Sequence, residues 1–338
     1  NPMGDFDPTD MSDDNYAKID LHRHIMDTVV LVSPSGKAMK RESDLIDVWF
    51  DSGSMPYAQW HYPFENKEKV EDGGAFPANF IAEGVDQTRG WFFTLHAISS
   101  MVFDSVAYKN VISNGLVLDK NGMKMSKRLG NAVDPFTTMD EYGADALRWY
   151  LLTNAAPWDN LRFDMEGLQE VRRKFFGTLH NTYAFFALYA NVDGFRYEEA
   201  DIPLHERPEM DQWILSELHS LIAKVEDGME AFEPTRAFRP IQEFTTEKLS
   251  NWYVRLGRRR FWKGAYEADK ISAYQTLWTC LETLSRLMAP LAPFYADQLY
   301  TDLHKGIAKT GETSVHLTDF PTVNAHAVNA PLEKKINL

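Results

Sequence analysis

Lys124 and Lys127 stand three residues apart with Ser126 between them, in the run Gly122-Met123-Lys124-Met125-Ser126-Lys127-Arg128. Each ammonium offers three donors on a compact charge, so the pair suits a polyphosphate. Transition states of the phosphoryl type are stabilised chiefly by positioned charges of this kind. Surface lysine pairs are common and mostly just solvated. The string therefore takes its meaning from what surrounds it.

The elements that must position these lysines have an α/β rhythm. A strand-like run over residues 111–118 leads into the loop, and Gly130-Asn131 reads as the turn that closes it. Further upstream, residues 45–50 and 80–82 read as strands. Residues 88–101 read as a helix, with Trp91, Leu95 and Ile98 at helical spacing. Residues 109–113 read as the next strand, which makes a βαβ crossover. In open parallel sheets ligands bind where strands end. Residues 83–87 and Asn114-Gly115 fall at such ends. Ahead of this region, residues 28–32 read as a strand followed by the turn Ser33-Pro34-Ser35-Gly36. Beyond about residue 160 the pattern is helical. Met210, Ile214, Leu218, Leu221, Val225 and Met229 recur at steps of three and four, as do Ile271, Tyr274, Leu277, Trp278, Leu281, Leu284 and Met288. This predicts a helix bundle.

Three segments join the lysine loop as candidates. Residues 47–53 read D-V-W-F-D-S-G, and strand alternation puts Trp49 and Asp51 opposite Val48 and Phe50. A tryptophan beside a turn can line an apolar pocket; a plain core strand is the alternative. Residues 83–91 read E-G-V-D-Q-T-R-G-W. Glu83, Asp86 and Gln87 converge on a strand-to-helix turn, and Gly84 allows close backbone approach. They suit an amino group and ribose hydroxyls, although Asp86 as a helix cap explains the segment equally well. Gly115 at a strand end permits a flat base against the backbone, or is a simple bulge. Met123 and Met125 are expected to anchor the loop in apolar surface.

The chain has 338 residues, 44% of them hydrophobic, with 9 Trp, 14 Tyr and 21 Phe, enough for two or three domains with real cores. Its formal charge of -14 argues against bulk coating of nucleic acid, though not against a local basic patch. Such a patch exists. Arg255, Arg259 and Lys263 share one helical face, with Arg258 and Trp262 in an adjacent stripe. Arginines with aromatics hold phosphates and stack on unpaired bases; pairing with neighbouring acids is the competing reading. The single cysteine, Cys280, excludes an internal disulfide and a cysteine zinc site. No apolar run is long enough to span a membrane.

Residues 47–53, 83–91 and 124–128 (K-M-S-K-R) together resemble the class I aminoacyl-tRNA synthetases, and most closely their isoleucyl branch. The likeness continues through Gly143-Ala144-Asp145-Ala146-Leu147-Arg148. It implies an α/β plus all-α chain, with a partial parallel Rossmann-like sheet followed by a helix-bundle anticodon-binding domain. The implied boundaries are 1–43 for the remnant of an editing insertion, 44–160 for the second half of the catalytic domain, and 161–338 for the anticodon-binding domain. The resemblance gives Lys127 the ATP phosphates, with Lys124 and Ser126 in support. It gives Glu83, Gly84, Asp86, Gln87 and Gly115 the adenylate, and Trp49 and Trp91 the aliphatic side-chain pocket. The bundle takes tRNA, with Arg255, Arg258 and Arg259 as contacts. ATP enters with Mg2+ as a substrate complex, and no protein-bound metal is implied. The implied protein is a cytoplasmic monomer that uses L-isoleucine, ATP and tRNA(Ile). A valyl-type synthetase and a non-catalytic RNA-binding module are the alternatives. Two departures stand out. Arg128 replaces the signature's final serine, and no His-x-Gly-His string occurs, since His22 and His24 flank Arg23. The isolated chain is therefore expected to be inactive.

Overall fold

A short polar cap sets the first helix of the chain. Ser12 accepts the Asn15 N–H and starts α1 (Asp13–Tyr16), and α2 (Arg23–Met26) follows. The computed structural model describes residues 4–7, 9–44 and 47–336. The chain divides into two compact units, residues 1–81 with 86–110 and residues 82–85 with 111–338.

In the first unit, β1 (Val30–Val32) pairs antiparallel with β2 (Ala38–Lys40). Gly36, at φ 78°, makes the turn between them. The strand expected over 45–50 is instead the start of α3 (Val48–Ala58); Leu45 and Ile46 lie outside the described residues. Asp47 accepts the Trp49 N–H at 3.0 Å, the contact of a helix N-cap. Val48 and Phe50, which alternation placed on one strand face, are 71% and 50% exposed. After α4 (Lys67–Glu71), a short 3-10 turn over Val85–Arg89 leads into α5 (Trp91–Phe103). Phe92, Leu95 and Ile98 face inward from α5. A Cβ on Gly53 would come within 2.8 Å of Ile98 Cδ1 and 3.0 Å of the Thr94 carbonyl carbon. Glycine there lets α3 lie directly on α5. Phe103 closes the end of the pair, with ring centroids 4.8 Å from both Tyr57 and Phe76. Ala78 and Tyr108 form a parallel bridge.

β3 (Ile81–Gly84), all but its first residue in the second unit, pairs with β4 (Val111–Asn114). The run 111–118 is not one strand. It breaks at Gly115, after which β5 (Val117–Leu118) pairs in parallel with β6 (Leu161–Arg162). The break has a local cause. The Gly115 N–H donates to the Pro157 carbonyl at 2.8 Å, and the Leu116 N–H to Asn160 Oδ1 at 2.8 Å. These bonds turn the chain from one partner strand to the other.

Helices α6 (Pro135–Tyr142) and α7 (Ala144–Asn154) lie between β5 and β6. Beyond β6 come α8 (Met165–Glu170), a π-helical run over Val171–Phe176, and α9 (Gly177–Asp193). The expected bundle follows with α10 (Glu209–Glu230), α11 (Pro234–Glu243), a π-helical run over Phe244–Val254, α12 (Arg255–Trp262), α13 (Ala268–Met288), α14 (Pro293–His304) and α15 (Ala330–Ile336). The last carbonyls of α7 are satisfied by α11. Thr235 Oγ1 donates to the Leu152 carbonyl at 2.7 Å, and Arg239 to those of Thr153 and Asn154 at 2.7 and 2.9 Å. Trp149 of α7 is fully buried against Phe175, at 4.4 Å, and Phe238. One core thus runs from the helices after the lysine loop into the bundle.

Candidate functional site

The lysine loop leaves β5 through a tight turn. The Gly122 N–H donates to the Asp119 carbonyl at 2.9 Å, with Gly122 at φ 82°. Asp119 Oδ1 accepts the N–H groups of Asn121 and Met123 at 2.9 and 2.8 Å. Its Oδ2 accepts Nδ2 of Asn131 at 2.9 Å. The Asn131 amide, followed by the Met123 N–H, holds the Asp119 carboxyl below the usual carboxylate value. Asn131 reaches into the loop as well. Its Oδ1 accepts the Ser126 N–H at 2.9 Å, and its Nδ2 donates to the Lys124 carbonyl at 3.3 Å.

Ser126 is a cap. Its Oγ accepts the Leu129 N–H at 3.2 Å and starts the 3-10 turn Lys127–Leu129, which ends on Gly130 at φ 66°. Lys124 and Lys127 lie on either side of it, exposed and without an ion pair among the described residues. Asp134 caps α6 by accepting the Thr137 N–H at 2.8 Å. That bond lowers the Asp134 pKa first, and the charge of Lys127 contributes to the same shift. Met125 packs on the core and lines an apolar cavity of about 260 Å³ with Val117, Val133, Leu147, Leu151 and Phe163. Met123 does not anchor the loop, because it is 58% exposed. The geometry is that of two free ammonium groups on a preformed backbone, suited to a polyphosphate.

Glu83 and Gly84 lie on β3, beside β4. Glu83 is exposed, and its carboxylate makes no hydrogen bond or ion pair among the described residues. Gly115 is demanded by the fold itself. A Cβ there would sit 2.3 Å from the Asp159 carbonyl oxygen and 2.9 Å from the Asn160 nitrogen.

Within the first unit, Trp49, Asp86, Gln87 and Trp91 come together. The helix cap, one of the two readings of Asp86, belongs to Gln87, whose Oε1 accepts the Trp91 N–H at 2.8 Å. Its Nε2 donates to Asp86 at 3.4 Å. Asp86 sits one residue too early to reach the first free N–H of α5. Trp91 Nε1 donates to the Ser52 carbonyl at 3.0 Å, which fixes its ring against the turn of α3. Trp49 covers Gly90, where a Cβ would approach its ring to 3.1 Å. Trp49 remains 45% exposed, so one tryptophan is locked and the other is available to a ligand.

On α12 the arginines divide. Arg260 turns inward to Asp211 and Asp269, whereas Arg255, Arg258 and Arg259 are exposed without an ion pair among the described residues. Trp252, Leu256 and Trp262 are exposed near them. Asp119 and Asn131 escape a reading of the sequence for chemistry. Their signal is present all the same: Asp three residues before Gly, and Asn directly after Gly, are turn residues whose side chains bond nearby backbone.

Two family models match the chain. One, described as tRNA synthetases class I (I, L, M and V), matches residues 8–164; the other, the anticodon-binding domain of tRNA ligase, matches residues 211–338. The isoleucine--tRNA ligase of Bacteroides fragilis is 64% identical over 340 residues, covering 100% of this chain and 30% of that ligase. The isoleucine--tRNA ligase of Porphyromonas gingivalis is 63% identical, covering 100% of this chain and 29% of that ligase. The chain thus spans about 30% of the length of the curated relatives it matches. A crystal structure of the ternary complex of Agrobacterium radiobacter K84 agnB2 LeuRS-tRNA-LeuAMS shares the fold, with TM-score 0.68 and 22% identity over 91% of this chain and 36% of that one. The chain belongs to the class I aminoacyl-tRNA synthetases of the isoleucine, leucine, methionine and valine group, and contains part of their catalytic fold together with the anticodon-binding domain.

Proposed function

We propose that the protein containing this chain activates L-isoleucine with ATP-Mg2+ and transfers it to tRNA(Ile). The observation that supports this reading best is the lysine loop, whose two ammonium groups, unpaired among the described residues, stand on a backbone held by Ser126 and Asn131. In the first step an isoleucine carboxylate oxygen attacks the α-phosphorus of ATP and pyrophosphate leaves. Lys127, aided by Lys124, neutralises the charge that builds on the leaving oxygens. Glu83 takes the amino group of the adenylate, Asp86 and Gln87 the ribose, and Gly84 and Gly115 allow close backbone approach. Trp49 and Trp91 wall the aliphatic pocket. In the second step a terminal ribose hydroxyl of the tRNA takes the aminoacyl group and AMP leaves. Residues 44–160 serve the chemistry, residues 161–338 hold the tRNA, and residues 1–43 belong to an editing insertion. The protein works as a cytoplasmic monomer.

Amino-acid choice is the direct test. In ATP–pyrophosphate exchange by the complete enzyme, isoleucine is expected to exceed valine in kcat/KM by about 10–200-fold, the range one methylene allows. A preference for valine would sink the assignment. Isoleucine is supported by the 64% identity to isoleucine ligases across the whole chain.

The tRNA reading rests on the three arginines of α12 that form no ion pair among the described residues. Replacing Arg255, Arg258 and Arg259 together with alanine is expected to weaken tRNA binding. The slope of log K against log salt should become shallower by about one for each phosphate that is no longer neutralised. Fluorescence anisotropy across a salt series measures both. An unchanged affinity and slope would remove this surface from the interface.

A further inference from the structure

We infer that Asp119 and Asn131 are positioning residues that clasp the lysine loop at its neck and present Lys124 and Lys127 as one body. The inference rests on the activation reading above and extends it to residues that touch no substrate. The two side chains meet at 2.9 Å, twelve positions apart in sequence. Every bond they make points into the loop. Asp119 holds the N–H groups of Asn121 and Met123, which fixes the ascending arm up to the residue before Lys124. Asn131 holds the Lys124 carbonyl and the Ser126 N–H, which fixes the backbone between the lysines. Ser126 then holds the Leu129 N–H across the turn that begins at Lys127. Between the two ammonium groups, Ser126 is held by its N–H and Met125 is packed on the core. The ordering cost falls on folding rather than on the chemical step, which is how positioned charges gain their effect.

The alternative is that the pair merely stabilises a turn. Its polarity separates the two readings. The carboxylate at 119 only accepts, whereas the amide at 131 donates to it and accepts from Ser126. Asp119→Asn can set an amide donor against the Asn131 donor. Asn131→Asp sets two carboxylates face to face. In the double variant Asp119→Asn/Asn131→Asp, the carbonyl oxygen at 119 still accepts from Asn121 and Met123. The amide at 119 donates to the carboxylate at 131, whose other oxygen still accepts the Ser126 N–H; only the longer bond to the Lys124 carbonyl is lost.

The test uses the complete enzyme with both single variants and the double variant. Each single variant is expected to lower kcat for isoleucine-dependent exchange about tenfold, the loss of one hydrogen bond to a charged group. The KM for isoleucine should not change. Trypsin cleavage after Lys124, Lys127 and Arg128 should accelerate by a similar factor, without a shift of the thermal midpoint. The double variant should recover part of both losses, the remainder being the bond to the Lys124 carbonyl that an aspartate at 131 cannot make. Single variants that match the wild type in kcat and cleavage would overturn the clasp. So would a double variant as impaired as the two single effects combined. Absence of isoleucine-dependent exchange in the wild type would overturn the activation reading instead, and the cleavage series would still decide the clasp.

Discussion

Lys127→Ala in the complete enzyme is expected to slow isoleucine-dependent ATP–pyrophosphate exchange by about 10²–10³-fold, the range for losing one preorganised donor to a developing charge. The substitution removes little else. Lys127 is exposed, forms no ion pair among the described residues, and begins a 3-10 turn whose cap is the Ser126 side chain. The turn therefore survives, and folding stability should move by less than about 0.5 kcal/mol. The balance of kinetic constants identifies the role. Ground-state polyphosphate keeps Lys124, so KM for ATP should rise only a few-fold while kcat takes most of the loss. KM for isoleucine should stay at the wild-type value, because no part of the Trp49 and Trp91 walls changes. Lys127→Arg should recover only part of the rate, since a guanidinium fork does not place its charge where a compact ammonium does. Exchange within twofold of the wild type in Lys127→Ala would refute the role, and the proposed phosphate site with it.

The reason these lysines were legible in sequence, and their supports were not, is a matter of range. A loop that binds phosphate must expose its charges, and exposed lysines at short spacing can be seen in a string. The long helices were legible for a similar reason. Ile214, Leu218, Leu221 and Val225 on α10, and Tyr274, Leu277, Leu281 and Leu284 on α13, are all buried at steps of three and four. Burial of a stripe writes its own period. Residues 45–50 misled because alternation is ambiguous over so few residues. The Asp47 cap outweighed it and made a helix. The run 111–118 misled because the bonds that break it come from Pro157 and Asn160, some forty residues downstream. The arginines show the same limit. Nothing local distinguishes Arg260 from Arg259; the carboxylate that claims Arg260 is 49 positions away on α10. The π-helical run over Phe244–Val254 escaped as well, because its buried Phe244, Leu249 and Val254 recur at steps of five rather than the three and four of an α-helix.

That carboxylate supports the second large expectation: Asp211→Ala should destabilise the helical unit by about 3–5 kcal/mol, the cost of removing one partner from a buried ion pair. Asp211 is fully buried on α10. Its Oδ1 accepts from Tyr253 Oη at 2.8 Å and Arg260 Nη1 at 2.5 Å; its Oδ2 accepts from Arg260 Nη2 at 2.8 Å and Ser272 Oγ at 2.5 Å. Four donors from the π-helical run, α12 and α13 thus end on one carboxylate. Removing it strands a buried Tyr253 hydroxyl and a buried Ser272 hydroxyl. It also leaves Arg260 with Asp269 alone, on the rim of the unit where Asp269 is largely solvated. Asp211→Asn should cost less but still several-fold in the folding equilibrium, because its amide must point a donor at Arg260 or Ser272. The paired exchange Asp211→Leu with Arg260→Met removes both charges, and it should recover part of the loss, since a buried pair is offset by its own desolvation. Urea unfolding followed by tryptophan fluorescence of the complete protein reads the series, with Trp213 and Trp278 buried in the affected bundle. A midpoint for Asp211→Ala equal to that of the wild type would mean that the three helices are held by apolar packing alone. The expected loss has a functional edge, because the same knot fixes the rotation of α12. With Arg260 pinned inward, Arg255, Arg258 and Arg259 face outward on the same helix. Asp211→Ala should therefore weaken tRNA binding even where the unit remains folded, and the salt slope should become shallower as it does in the triple arginine variant.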